Sequence, residues 1–287
     1  MINYIVRQAK RFVVLIPGLA VAYVSVRDIF PHLDKWLPVS VAILVTYMVA
    51  AYVIIPAVIR VLRVLFPTGH VPLYCVTPDG FASDPLNIAI LATRAELTEA
   101  METTGWYKAD PHVLGNLIRA GLSYITRMPY PNAPVSSLYL LGRKQDIAFE
   151  IPLLTGRGNR HHVRFWATSV EPGKPLDSSA IHWHTSMAGF PDDEPVLWLG
   201  AASLDVGITA VRHNFQVTHM IHPNTNQERS LIIDQLNAAK LLKDQVSIRL
   251  TDKPYRLVNR AWRGYLESDG TMIICILKRA KSRQIKG

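Results

Sequence analysis

Cysteine is scarce in this chain: Cys75 and Cys275 are the only two in 287 residues. They cannot supply a disulfide framework or a CxxC zinc site. Cys275 lies in the apolar run Met272–Leu277, so a buried free thiol is expected. Other signatures are missing as well. No glycine-rich phosphate loop follows a strand, HExxH is absent, and no GxSxG elbow surrounds a serine. These absences argue against Rossmann and P-loop enzymes, HExxH metalloproteases and nucleophile-elbow hydrolases. Charged residues make up 18% of the chain against 49% hydrophobic, which excludes a disordered chain and a coiled coil.

Acids are almost absent from Met1 to Phe66, where Asp28 and Asp34 stand against seven bases. From Lys278 to the end there are five bases and no acid. The formal net charge of +9 is therefore terminal, and the stretch between is close to neutral. That distribution is not a nucleic-acid footprint. Bases that flank apolar segments suit an anionic membrane surface.

Two uncharged runs supply those segments. Phe12–Val26 is the shorter, and Trp36–Ile59, with Trp36 at one edge, is long enough to span a bilayer. No cleavage signal separates them, so a retained transmembrane hairpin over 1–66 is expected rather than a signal peptide. Arg7, Lys10, Arg11, Arg60 and Arg63 flank the pair, and Arg27 and Lys35 lie between the spans. Five bases against two place the flanks, and the domain over 67–287, on the cytoplasmic side.

The stretch from Pro67 to Gly287 is long enough for a full core. Thr93-Arg94-Ala95-Glu96 reads as a capping box opening a helix, and Thr225-Asn226-Gln227-Glu228 reads as a second. Asp110-Pro111 suits another helix start. Leu114, Leu117, Ile118, Gly121 and Ile125 then share one helical face. Short strands follow from Val135, with polar and apolar residues alternating in His162-Val163-Arg164-Phe165-Trp166. The element order predicts an α+β domain, its helices packed on a largely antiparallel sheet.

Histidine is uneven: seven of ten lie between His161 and His222. No spacing among them matches a metal-ligand signature, and no cofactor follows from the sequence. On a strand, His162 and Arg164 share one face and His161 takes the other. Asp205 follows the apolar strand Val196–Ala202, where it is either a catalytic acid at a strand end or a cap of the turn before Gly207. His219 and His222 bracket the turn before a helix N-terminus, which favours anions, with Arg229 nearby; ordinary capping beside a surface arginine is the other reading.

Several stretches together carry a family resemblance. They include Asp84-Pro85-Leu86-Asn87, Gly105-Trp106 and Gly142-Arg143-Lys144-Gln145-Asp146. Others are Arg160-His161-His162-Val163-Arg164, Trp198-Leu199-Gly200-Ala201-Ala202-Ser203, Thr218-His219 and Glu228-Arg229. In this order, over roughly Pro78 to Leu242, they resemble the LssY-like C-terminal domain family of bacterial membrane proteins. The resemblance implies a membrane-tethered domain, in some members joined to a lipid-phosphatase or DedA-type domain, with no reaction assigned to the domain itself. The family is often acidic after the Thr-His strand, where this chain has His222, Asn224 and Asn226, which weakens a carboxylate–metal reading of that turn.

Two functional readings follow. One is an accessory or binding domain of the inner membrane that serves envelope-lipid metabolism. Its partners are the lipid membrane and an anionic lipid or phosphate headgroup, not nucleic acid. The other is a hydrolase of phosphate or ester groups on lipid-like substrates. In it His162 or His219 is the acid/base, Asp205 orients a histidine, and Arg164 and Arg229 hold the anion.

Overall fold

In the computed structural model the residues described are 19–58, 61, 71–126, 128, 130–140, 142–153, 159–170, 181–182, 192–211, 217–258 and 264–278. The chain divides into two compact units: Met1–Phe66 with Pro78–Gly80, and Pro67–Thr77 with Phe81–Gly287.

The first unit holds helix α1, over 19–34, and helix α2, Val39–Val58. With 20 residues and mean hydropathy 2.4, α2 is long and apolar enough to cross a membrane. It is the only such helix among the described residues. Of the other expected span, Phe12–Val26, residues 12–18 lie outside them, so a two-span hairpin is not shown. Both helices contain a π-turn, at Ser25–Ile29 and Ala50–Ile54, just before Pro31 and Pro56. A proline ring crowds the carbonyl four residues back, and a wider i→i+5 turn makes room for it.

The second unit is α+β and layered. Its central sheet has nine strands. Six of them, β12 (Leu242–Arg249), β15 (Thr271–Leu277), β3 (Ile88–Ala92), β10 (Val196–Ala210), β8 (Arg160–Val170) and β7 (Ile147–Pro152), run side by side in that order. Strand β4 (Tyr107–Lys108) pairs with β7, β11 (Val217–Ile221) with β10, and β9 (Ile181–His182) with β8. Every pairing in this sheet is antiparallel except β15 with β3. Apart from it, β13 (Tyr255–Val258) and β14 (Tyr265–Ser268) form an antiparallel pair of their own.

Alternation along the strands splits the core in two. On one face Ile88, Ile90, Phe149, Phe165 and Trp198 pack under helices α3 (Arg94–Thr103) and α5 (Asn226–Ala238). On the other, Ala89, Trp166, Leu197 and Leu199 pack with Cys75, Leu86, Leu138 and Leu140. These last four come from in and around a four-stranded sheet of β2 (Ala82–Pro85), β1 (Tyr74–Val76), β5 (Tyr139–Leu140) and β6 (Arg143–Lys144). Both cysteines are free and buried.

The Thr93 box forms as predicted: Thr93 Oγ1 accepts from the Glu96 backbone N–H, and Glu96 accepts from the Thr93 N–H. Three other expectations are corrected. The Thr225 box does not form, because Thr225 Oγ1 donates to the Glu267 carbonyl and Glu228 binds His161 instead. Helix α4, Leu114–Thr126, starts at Leu114 rather than at Asp110-Pro111, where the Asp110 carboxylate accepts from Tyr130 Oη. Its apolar face does not pack on the sheet; Leu114, Leu117, Ile118, Leu122 and Ile125 are exposed.

Gly200 marks the tightest point of the sheet. It pairs with Ile88 on β3 and Phe165 on β8. A Cβ built there lies 2.6 Å from Ile88 Cγ2 and 2.7 Å from Phe165 Cε1. Gly200→Ala is therefore expected to overpack the central strands and destabilise the domain by about 1–3 kcal/mol. Thermal unfolding of the variant in mild detergent checks this; an unchanged midpoint contradicts the packing described.

Candidate functional site

The face of the central sheet that meets the four-stranded sheet changes character along β8. Trp166 packs as core, while Arg164, His162 and Arg160, at alternate positions of the strand, carry polar groups onto the same face. Register sets their neighbours. Ser203 of β10 and Glu150 of β7 lie opposite His162, and Asp205 lies opposite Arg160. Asp84 reaches the cluster from β2 of the other sheet. Asn87 holds the layers in step: its Nδ2 donates to the carbonyls of Ala202 and Thr225, and its Oδ1 accepts from the Ala202 N–H.

The polar residues form a buried chain in which basic side chains alternate with carboxylates. Arg160 donates to Glu150 Oε2 at 2.5 Å and to Asp205 Oδ2 at 3.1 Å. Asp205 Oδ2 lies 3.5 Å from His162 Nδ1, beyond hydrogen-bond geometry. His162 Nε2 lies 3.3 Å from Asp84 Oδ2 and 2.9 Å from Ser203 Oγ. Arg164 donates to Asp84 Oδ2 at 2.7 Å, and to the carbonyl and hydroxyl of Ser136. Asp84 and His162 are each 1% exposed and Arg164 is 3% exposed, so this chain lies inside the protein.

Charge state follows environment. Burial works to raise the Asp84 pKa, but Arg164, His162 and Ser203 together hold it below the ordinary carboxylate value. At the other end burial dominates: Glu150 is pushed up to about 7, although Arg160 opposes the shift. Burial lowers the pKa of His219 against the attraction of Asp205, so its neutral ring is favoured.

One small open cleft reaches this chain. Thr77, Ser83, Asp84, Ser136, His162, Arg164, Asp205, Thr218 and His219 line it, with Leu138 and Ile221 at its sides. Its volume of about 30 Å³ admits a few atoms, on the order of two water-sized groups. Two features stand beside it. His162 Nδ1 is buried with no hydrogen-bond partner. Arg164 uses three of its five N–H groups on Asp84 and Ser136, leaving two. Among the described residues no cluster of histidine, cysteine or carboxylate side chains has metal-binding geometry.

Of the residues singled out from the sequence, His162, Arg164, Asp205 and His219 line this cleft. Arg229 does not: it forms a two-pronged pair with Asp269 and donates to the Thr271 carbonyl. His161 faces the helical layer, where its Nδ1 lies 2.7 Å from Glu228 Oε2. Asp205 is not at a strand end, because β10 continues to Ala210. The register shifts between Asp205 and Ile208, and Gly207, at φ 142°, takes a conformation few other residues adopt. His182, His184 and His213 offer nothing further, since their side chains lie outside the described residues. Sequence reasoning gave no role to Asp84, Glu150, Ser203 or Ser136. Asp84 stood in the first stretch of the family resemblance, the one signal that marked it.

The LssY C-terminus family matches residues 68–272, and the chain belongs to that family. No curated protein and no solved structure matches it.

The raised Glu150 pKa has a stability consequence. Folded Glu150 holds its proton up to about pH 7, while the unfolded chain releases it near 4.5. Its contribution is therefore fully present below about pH 4.5 and is lost as pH rises through 7. Glu150→Gln removes that slope. The difference in thermal midpoint should shift in favour of the variant between about pH 4.5 and 7, then level off. Parallel pH profiles for the two proteins rule this out.

Proposed function

We propose that the protein is a membrane-attached binding domain whose cleft receives a small anionic group, of the size of a phosphate on a lipid headgroup. The observation that carries this reading is the pair of uncommitted donors on a buried Arg164, beside the unpartnered ring nitrogen of His162. A buried guanidinium with donors to spare suits a planar or tetrahedral oxyanion. The cleft volume admits one or two oxygens of a headgroup phosphate. Attachment is supported by α2 and by the family. Both fit a place in envelope-lipid metabolism at the bacterial inner membrane.

His219 completes the cleft as a neutral donor that an incoming anion favours charging. Asp205, Arg160, His162 and Arg164 are the charged and titratable groups that act on it. Phosphate or glycerophosphate added to the full chain in mild detergent should bind, more tightly as pH falls below the ordinary histidine range. His219→Ala should weaken binding roughly tenfold, about 1.4 kcal/mol, with little change in thermal midpoint. Unaltered binding removes His219 from the site, and a collapsed midpoint assigns it to the core.

A hydrolytic reading has one observation in its favour: Ser203, His162 and Asp205 stand in line at 2.9 and 3.5 Å. Ser203, however, is fully buried and does not line the cleft, so it is not offered to a substrate. On this reading His162 acts on a cleft water instead. Release of phosphate from a lipid phosphate ester, lost in His162→Gln, would favour it over binding.

The flanking bases, five against two, support two spans with the domain in the cytoplasm. A reporter active only outside the cytoplasm, fused after Gly287, then stays silent. A strong signal reverses the orientation.

A further inference from the structure

Helix α4 is built the wrong way round for a water-soluble domain. Leu114, Leu117, Ile118, Leu122 and Ile125 form one stripe, and they are 39–74% exposed. The half-buried positions are Asn116, Ala120 and Ser123, on the opposite face. Polar contacts tie the helix and its ends down: Asn116 Nδ2 donates to the Pro111 carbonyl, and the Arg119 guanidinium lies 4.2 Å from the ring centre of Tyr130, itself buried. Val113 and Met128 extend the apolar surface beyond both ends of the helix. An apolar stripe turned away from its own domain marks a surface that something covers.

Charge points to the occupant. The sequence from Lys108 to Met128 carries Lys108, Arg119 and Arg127 and a single acid, Asp110, which is engaged by Tyr130. An anionic bilayer surface answers both the apolar stripe and the positive charge. The same chain carries, earlier in its sequence, a helix apolar enough to enter that bilayer, α2.

We propose that α4 is an interfacial helix, which lays its apolar stripe into the headgroup–acyl boundary of the anionic membrane that holds the chain. It gives the domain a second membrane contact besides α2. The inference rests on the membrane attachment proposed above, and not on the anion cleft.

The test uses the full chain in vesicles of phosphatidylethanolamine and phosphatidylglycerol. Ile118→Cys and Asn116→Cys each supply an attachment point for an environment-sensitive fluorophore. Both native cysteines are fully buried, and burial pushes their thiols up, Cys275 to about 12, so labelling falls on the new position. The label at 118 should shift to the blue and be quenched by brominated acyl chains, and the label at 116 should not. Removing phosphatidylglycerol should diminish both effects at 118. A label at 118 open to an aqueous quencher overturns the proposal. So does one shielded from water but untouched by brominated chains, which means that a protein covers the stripe. Flotation separates the two readings: a chain that does not float with vesicles defeats attachment altogether, whereas one that floats with an aqueous 118 defeats this inference alone. Leu122→Glu guards against a folding artefact. It should keep the thermal midpoint in detergent, because the face is exposed, while losing the blue shift of the label at 118; a retained shift also counts against the proposal.

Discussion

The ion pair between Arg164 and Asp84 ties the two sheets of the domain together. Arg164 stands on the central sheet and Asp84 on the smaller one, and the bond between them is 2.7 Å long in a nearly dry interior. Removing either partner leaves a buried charge uncompensated, a loss of about 3–5 kcal/mol. The neighbouring contacts depend on this pair. Ser136 is placed by the Arg164 guanidinium, His162 Nε2 sits against the same Asp84 oxygen, and the Asp84 carbonyl accepts from Cys75. Residues from both sheets, Asp84 and Arg164 among them, line the cleft.

Polar groups persist here because carboxylates alternate with basic side chains, in the order Glu150, Arg160, Asp205, His162, Asp84, Arg164. The two ends differ. Arg164 serves one carboxylate, and Asp84 stays ionised despite burial. Arg160 is divided between Glu150 and Asp205, and Asp205 repels charge on Glu150, so burial prevails and Glu150 is held near its protonated form. The chain can thus take up or release a proton at Glu150 while the Asp84 end stays fixed. The end that borders the cleft is the Asp84–Arg164 pair, and Glu150 does not line it.

What could be read from the sequence was local. The Thr93 box, the α+β class and the opposite faces of His161 and His162 follow from spacing alone, because the interactions involved span a few residues. Thr225-Asn226-Gln227-Glu228 has the same spacing as the Thr93 box, yet Glu228 turns to His161, 67 residues away, which no local pattern reports. The pairing of Glu150 with Arg160, and of Asp84 with Arg164, depends on strand order and register. Both arise from the packing of distant segments. Arg229 shows the converse error. Its place beside a helix N-terminus suggested an anion, but the anion is Asp269, supplied by the turn before β15.

Helix α4 shows what periodicity can and cannot establish. The same kind of stripe that seats α3 and α5 on the central sheet faces outward in α4, and spacing alone does not distinguish the two outcomes. What distinguishes them is the other side of the helix. Leu97, Ala100 and Met101 of α3 are buried while Glu99 and Glu102 are exposed, which is the arrangement of a core helix. In α4 the side turned inward is Asn116, Ala120 and Ser123, with Arg119 stacked on Tyr130. Reversing α4 to bury its stripe would break those contacts and bring Arg119 away from its ring. The outward stripe is therefore how this helix is attached, and it leaves an apolar surface exposed along the whole length of α4.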